Sequence, residues 1–407
     1  MDKYDRIKKV CDENSKLTAK LVDKFLIYHA AAHDNLEKVM QRDFARYSRA
    51  AAKLPASWDS MAKAQYLAHR VFREDGLIRK FLYHSALKKL TSDEMKFLEF
   101  QADNPWRFSF STITANPAGD FYLMEDVFRG NDFLLYSPAV TETLKTQRVA
   151  LWLTLVTFNG SCWQTYGPVN PFNGFEPDDI YFFATEVNAD IDNELDLIAE
   201  VEANPVPFML LITGSTLPIL ISKNYRILRV MAEYDIPNLD TPNLAGQFKS
   251  AYSHGVYRLT LKRWGTHPHF AEAWYDENKN TLLLTAMTDR GFAELIKVLA
   301  EYGLELDAEP DLRVNQTMLK VASDILGREI DLPDYSHLFQ KDISAEKQQE
   351  LDNLNMLLNL AMPDINAGKE PDYRSIAAKT GMDPESVKDI LQQVTEHINK
   401  LKGPAKR

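Results

Sequence analysis

Near residue 90 the spacing of apolar residues changes, and that switch constrains the fold more than any motif does. Before it, Leu17, Leu21, Phe25, Tyr28, Leu36, Val39, Met40, Phe44 and Tyr47 recur at steps of three and four, the period of an amphipathic helix. This predicts one long helix over about 15–53, with Ala30, Ala31 and Ala32 adding propensity. Pro55 breaks it, and a second helix over about 58–90 carries Met61, Ala68, Val71, Phe72, Ile78, Phe81 and Leu82. So short a break favours an antiparallel hairpin. Gly76 costs about 1 kcal/mol against alanine inside a helix, so an interruption is expected there.

After the switch, Trp106, Phe108 and Phe110 alternate with Arg107, Ser109 and Ser111, the period of a half-buried strand. Further strands are expected at 121–128, 133–136, 149–158 and 161–166, with turns at 116–120, 129–132 and Asn159-Gly160. Short strands at regular turns imply a small barrel or strongly bent sheet, closed by a Pro- and Gly-containing loop over 167–177. Beyond it the pattern reads as an acidic helix at 188–203 and two buried strands at 208–212 and 218–221. Strands follow at 225–234, 256–263, 270–275 and 282–286, with 235–255 irregular. Asp289 and Asn315 open two more helices, stopped by Gly303 and Gly327. The end is helical, with Ser344 capping a helix that Pro363 terminates.

The expected fold is an α+β multidomain chain. It comprises an N-terminal helical hairpin (1–90), a small β-barrel-like unit (91–182), a central α+β domain (183–343) and a C-terminal helical bundle (344–407) with a helix-turn-helix-like pattern.

Two cysteines, Cys11 and Cys162, cannot build a disulfide framework or a cysteine-based zinc site, and Cys162 reads as a buried hydrophobe. The charged N-terminus lacks a signal-type apolar core. The most apolar run, 206–221, is cut by Thr213–Thr216 and Pro218 and falls short of the roughly 20 residues a membrane helix needs. A cytoplasmic protein without a membrane partner is therefore expected. The formal charge is −11, yet residues 1–98 hold 20 basic and 13 acidic side chains, leaving 27 basic and 45 acidic for the rest. Because bases and acids alternate in the front segment, its charges are expected to face the acidic body rather than a polyanion.

Tyr373–Ile390 resembles a helix-turn-helix, with Ile376 and Ala377 on the first helix, Gly381 and Met382 at the turn, and Val387 and Ile390 on the second. In a DNA reader the start of the second helix meets phosphates. Here it holds Asp383, Glu385 and Asp389 against Lys388, so nucleic acid is disfavoured as a partner. On one helix His29, His33 and Glu37 would share a face and could reach a divalent metal, with His69 and His84 as further ligands. His267-Pro268-His269, with His254 and His337, is a second histidine group. Neither a phosphate loop, a dinucleotide fingerprint nor a Gly-x-Ser-x-Gly elbow occurs, and no cofactor is expected. The leading expectation is a non-catalytic interaction or scaffold protein that binds a protein partner or a second copy of itself. The alternatives are a nucleic-acid-binding regulator, using the basic N-terminal helices or the C-terminal module, and a metal-dependent hydrolase using His29, His33 and Glu37.

Overall fold

The computed structural model describes residues 3–241, 243–265, 268–339, 345–366 and 369–402. Contacts divide the chain into two units, Met1–Leu332 and Pro333–Arg407.

The front of the first unit is helical but is not a single helix. Helix α1 (Lys3–Leu17) runs into a π-helical stretch (Thr18–Leu26) and then α2 (Ile27–His33). Asn35 sits at φ 57, a left-handed conformation that ends a right-handed helix, so the chain turns before α3 (Leu36–Ala45) and α4 (Ser48–Ala51). The apolar period continues through that turn, which is why spacing alone predicts an unbroken helix. The second expected helix is also divided, into α5 (Ala56–Phe72), α6 (Ile78–Leu82) and a 3-10 turn (Ser85–Lys89). Gly76 lies in its break, where a Cβ would stand 2.5 Å from the Val71 carbonyl oxygen. Helix α7 (Ser92–Asp103) then opens with a reciprocal Thr91–Glu94 capping box.

The β-rich segment closes. Strands β1 (Arg107–Ala118), β2 (Phe121–Asp126) and β3 (Asn131–Tyr136) lead through α8 (Pro138–Leu144) to β4 (Leu151–Phe158) and β5 (Trp163–Phe172). They form a closed barrel in the order β1-β2-β3-β5-β4, with β3 and β5 parallel. With a helix between the third and fourth strands, this is the connectivity of an OB-type barrel. The alternation read in the sequence sorts the faces. Tyr122, Met124, Phe133, Leu135, Trp152 and Val156 fill the barrel, while Phe108, Phe110, Leu151, Leu153 and Leu155 point outward into the core shared with the helices. Strand β5 extends to Phe172 by pairing with Leu151, so most of the expected 167–177 loop is strand; a register shift between Leu153 and Leu155 accommodates the stretch that holds Pro168.

Helices α9 (Pro177–Val187), α10 (Glu194–Ala203) and α11 (Pro205–Leu210) follow. Residues 208–212 are thus helical rather than a strand. Val206, Phe208, Met209, Leu210 and Leu211 are all buried, and a segment enclosed on every side leaves no period to read. After the small hairpin β6 (Ile221–Ser222) and β7 (Tyr225–Arg226) come β8 (Leu228–Asp235), β9 (Phe248–Ser253), β10 (Val256–Leu261), β11 (Ala271–Asp276), β12 (Thr281–Ala286), α12 (Asp289–Glu301), β13 (Leu312–Asn315) and α13 (Gln316–Leu326). They build a six-stranded antiparallel sheet ordered β13-β8-β12-β11-β10-β9, covered by Phe292, Leu295 and Leu299 of α12. The edge strand β9 falls within the stretch expected to be irregular. Thr288, not Asp289, caps α12 by accepting from the Gly291 amide.

Apolar burial, more than charge, attaches the front helices to the barrel: one core joins Leu21, Val22, Phe44, Tyr66, Phe72, Phe108 and Phe208. Several basic side chains of the front pair within it, as Lys20 does with Glu94 and Lys80 with Asp34, although Lys53 reaches Asp324 at 2.8 Å.

Helix α9 is tied to the sheet by Asp179, whose carboxylate accepts from the backbone amides of Glu176 (2.8 Å) and Asn315 (2.6 Å). Burial pushes this carboxyl up to about 6 despite those bonds. A folded value above the unfolded one gives stability present at low pH and lost as pH rises through about 6. The loss is expected to be about 3 kcal/mol. Urea unfolding of wild type and Asp179→Asn between acidic and neutral pH checks this: the gap between the two should change over that window, and a constant gap would contradict it.

The C-terminal unit contains α14 (Ala345–Asn366), α15 (Tyr373–Thr380) and α16 (Pro384–Lys402) around Leu357, Ala361, Ile376, Ala377, Val387 and Leu391. The helix-turn-helix-like pair forms, with Gly381 at φ 69 in its turn. Pro363 lies inside α14 rather than ending it, and Ser344 lies outside the described residues. Among the described residues no helix is long and apolar enough to cross a membrane.

Candidate functional site

Helix α1 lies on the outer face of the barrel. Tyr4, Ile7, Cys11 and Asn14 recur at steps of three and four, so they form one stripe. Tyr4 meets Phe121 at 5.1 Å between ring centroids, and Phe121 meets Tyr136 at 4.9 Å. The Lys8 ammonium stands 5.6 Å from the Tyr136 ring. Further along, the Cys11 and Cys162 sulfurs are 3.4 Å apart, both buried and both free thiols. Asn14 then donates to the Gln164 side-chain oxygen at 3.0 Å.

Two amides organise this junction. Gln164 Nε2 donates to the Cys11 carbonyl (3.2 Å) and to Ser15 Oγ (3.1 Å). Asn159 Nδ2 donates to Gln164 Oε1 (2.8 Å) and to Cys11 Sγ (3.3 Å). The Asn159 side-chain oxygen meanwhile accepts from the Ser161 and Cys162 amides, so the hairpin turn itself aims Cys162 at α1. The hydrogen bond with Cys11 and burial push the Cys162 thiol up. The hydrogen bonds from Cys162 and Asn159 draw Cys11 down.

Beside this junction a cleft of about 320 Å³ opens between the π-helical stretch, α5 and β5, lined by Asn14, Thr18, Asp23, Met61, Gln164 and Tyr166 among others. The Tyr166 hydroxyl donates to Asp23 at 2.7 Å, and burial, then Asp23, raises that phenol. Asp23 is thus engaged, and the cleft walls offer hydroxyls and amides rather than an activated nucleophile.

The structure brings only part of the expected metal group together. The His29 and His33 rings are 4.3 Å apart, and His84 stands 4.4 Å from His29. Burial, then the charges of His33 and His84, lowers the His29 pKa. Glu37 lies past the Asn35 turn, on α3, where its carboxylate accepts from Gln41 at 3.3 Å. His69 is elsewhere, fully buried, with Nε2 2.5 Å from Glu202. Glu202 also accepts from the Phe108 amide and from Arg129, which reaches Asp126 in turn. His269 pairs with Thr288 at 2.8 Å, His254 sits in the β9–β10 turn, His337 lies in the C-terminal unit, and His267 is outside the described residues. Among the described residues no group of three or more His, Cys, Asp or Glu is arranged to hold a metal ion.

In the C-terminal unit Asp383, Glu385, Ser386, Lys388 and Asp389 are all exposed at the start of the second helix of the helix-turn-helix-like pair. Sequence reasoning missed the thiol pair, Asn159 and Gln164. The Asn159-Gly160 turn was the one local signal near them. No family model, curated protein or solved structure matches the chain.

Proposed function

We propose that the protein is a non-catalytic docking protein whose barrel accepts an amphipathic, basic helix. The observation that carries this reading is α1, which occupies the barrel's outer face through Tyr4, Ile7 and Cys11. OB-type barrels commonly bind oligonucleotides or oligosaccharides around the second and third strands. On this barrel Glu125 and Asp132 are directly opposite each other on the outer face of that strand pair. Two adjacent carboxylates repel a phosphate backbone and favour a cationic partner. Helix α1 offers Lys3, Arg6, Lys8, Lys9 and Lys16 beside its apolar stripe, so the resident helix is a pattern for the partner. The acidic helix start in the C-terminal unit weighs the same way, toward protein rather than DNA. We place this activity in the cytoplasm, where paired thiols stay reduced.

The test is a full-length Tyr4→Asp/Ile7→Asp variant, which releases α1 without touching the barrel. A fluorescent peptide of residues 3–17 should bind it about tenfold or more tighter than it binds wild type, and a short oligothymidylate should not displace the peptide. Failure of the peptide to bind removes the docking reading. Salt-sensitive displacement of the peptide by an oligonucleotide would move the chain to the nucleic-acid readers.

A further inference from the structure

A separate cluster of cations stands far along the chain from α1. The Arg263 and Arg290 guanidinium carbons are each 5.2 Å from the centroid of the Trp264 ring. Arg290 donates to the Tyr225 hydroxyl at 2.9 Å. His269 packs edge-to-face with both aromatics, 4.3 Å from Tyr225 and 4.9 Å from Trp264. Burial, then the charges of Arg290 and Lys223, lowers the His269 pKa. Among the described residues Lys223, Arg263 and Arg290 pair with no carboxylate. The neighbouring acid, Asp289, is already taken by Arg313.

Local structure is bent to this arrangement. Lys223 and Asn224 both have positive φ, 49 and 69, and form the two-residue turn between β6 and β7 that carries Tyr225. A lysine in that conformation is uncommon, since Gly, Asn or Asp fit it better. Gly291 lets the first turn of α12 approach the His269 backbone, because a Cβ there would stand 2.9 Å from the His269 carbonyl oxygen. That approach sets Arg290 against Trp264. Two guanidinium groups sharing one ring repel each other, and cation–π attraction offsets this only in part. In a chain of net charge −11, such a gathering of unpaired cations is best satisfied by an anion.

We infer that Arg263 and Arg290, set against Trp264 and Tyr225, together with Lys223 in the turn that carries Tyr225, form a binding site for a phosphate group. The guanidinium groups supply directed donors to the phosphate oxygens, and Lys223 adds a point charge at the rim. The phosphate can come from a small phosphomonoester or from a nucleic-acid backbone. Neither source depends on the docking of α1.

The experiment uses the full chain and follows tryptophan fluorescence during titration with inorganic phosphate, adenosine monophosphate, a short oligothymidylate and, as control, chloride. Saturable binding of a phosphate-bearing probe is expected, weakened about tenfold or more in Arg263→Gln/Arg290→Gln and several-fold in Lys223→Gln, whose exposed side chain lies on a turn. Adenosine monophosphate binding more tightly than the oligonucleotide at equal phosphate assigns the site to small ligands. The reverse order, with strong salt dependence, assigns it to a nucleic-acid backbone. The inference is overturned if no phosphate-bearing probe binds more tightly than chloride, or if both variants bind as wild type does.

Discussion

Replacing Glu202 with alanine is expected to lower the unfolding free energy of the first unit by about 3–5 kcal/mol. One carboxylate there serves three elements. It takes the imidazole of His69 on α5, the backbone amide of Phe108 on β1, and the guanidinium of Arg129 in the turn between β2 and β3. His69 is fully buried, and burial lowers its pKa, so its neutral ring donates from Nε2. Removing the acceptor leaves a buried imidazole N–H and a backbone N–H unmatched, and leaves Arg129 only its bonds to Asp126 and to the Phe108 carbonyl. Glu202→Gln retains an acceptor oxygen but loses the charge, so its cost should be clearly smaller. Urea unfolding followed by far-ultraviolet circular dichroism measures both. An alanine variant within about 1 kcal/mol of wild type would show that the network is decorative.

Oxidation of Cys11 and Cys162 should produce the opposite effect. With hydrogen peroxide as oxidant, one thiol of the pair ionises and attacks the peroxide, becoming a sulfenic acid with the release of water. The other thiol then displaces a second water, so two thiols and one peroxide give one disulfide and two waters. The bond would close a loop across 151 residues of sequence separation, which by chain entropy stabilises the fold by about 5 kcal/mol. Non-reducing electrophoresis and the unfolding midpoint read the result, with Cys11→Ser as the silent control. In the variant designed to free α1, the disulfide should also abolish peptide capture. Intermolecular dimers, or an unchanged midpoint, would contradict the intramolecular bridge.

The barrel was legible because its strands have one face inside a closed core and one against the helices, and because Gly119, Gly130 and Gly160 all mark real turns at positive φ. The divisions of the front helices were less legible. Asn35 interrupts geometry without interrupting apolar spacing, so Glu37 was placed on a face it does not share with His29 and His33. The stretch 208–212 reads as a strand because its near-complete burial erases the contrast on which periodicity depends. The sites were hardest to see. Cys11 meets Cys162 and His69 meets Glu202 across 151 and 133 residues, and no local pattern encodes such encounters. The Trp264 cluster likewise draws Lys223, Arg263 and Arg290 from three separate turns and helix starts.

The π-helical stretch Thr18–Leu26 sets the rotational phase between α1 and everything after it. Its hydrogen bonds span one residue more than those of an α-helix, so it absorbs residues without changing the direction of travel. A one-residue deletion where α1 enters this segment, with the π-helical turns kept, would turn α1 by about 100° and swing Tyr4, Ile7 and Cys11 away from the barrel together. Length in this segment is therefore under tighter constraint than side-chain identity. Exchanges on its exposed side leave the clutch engaged, whereas a single lost codon disengages it.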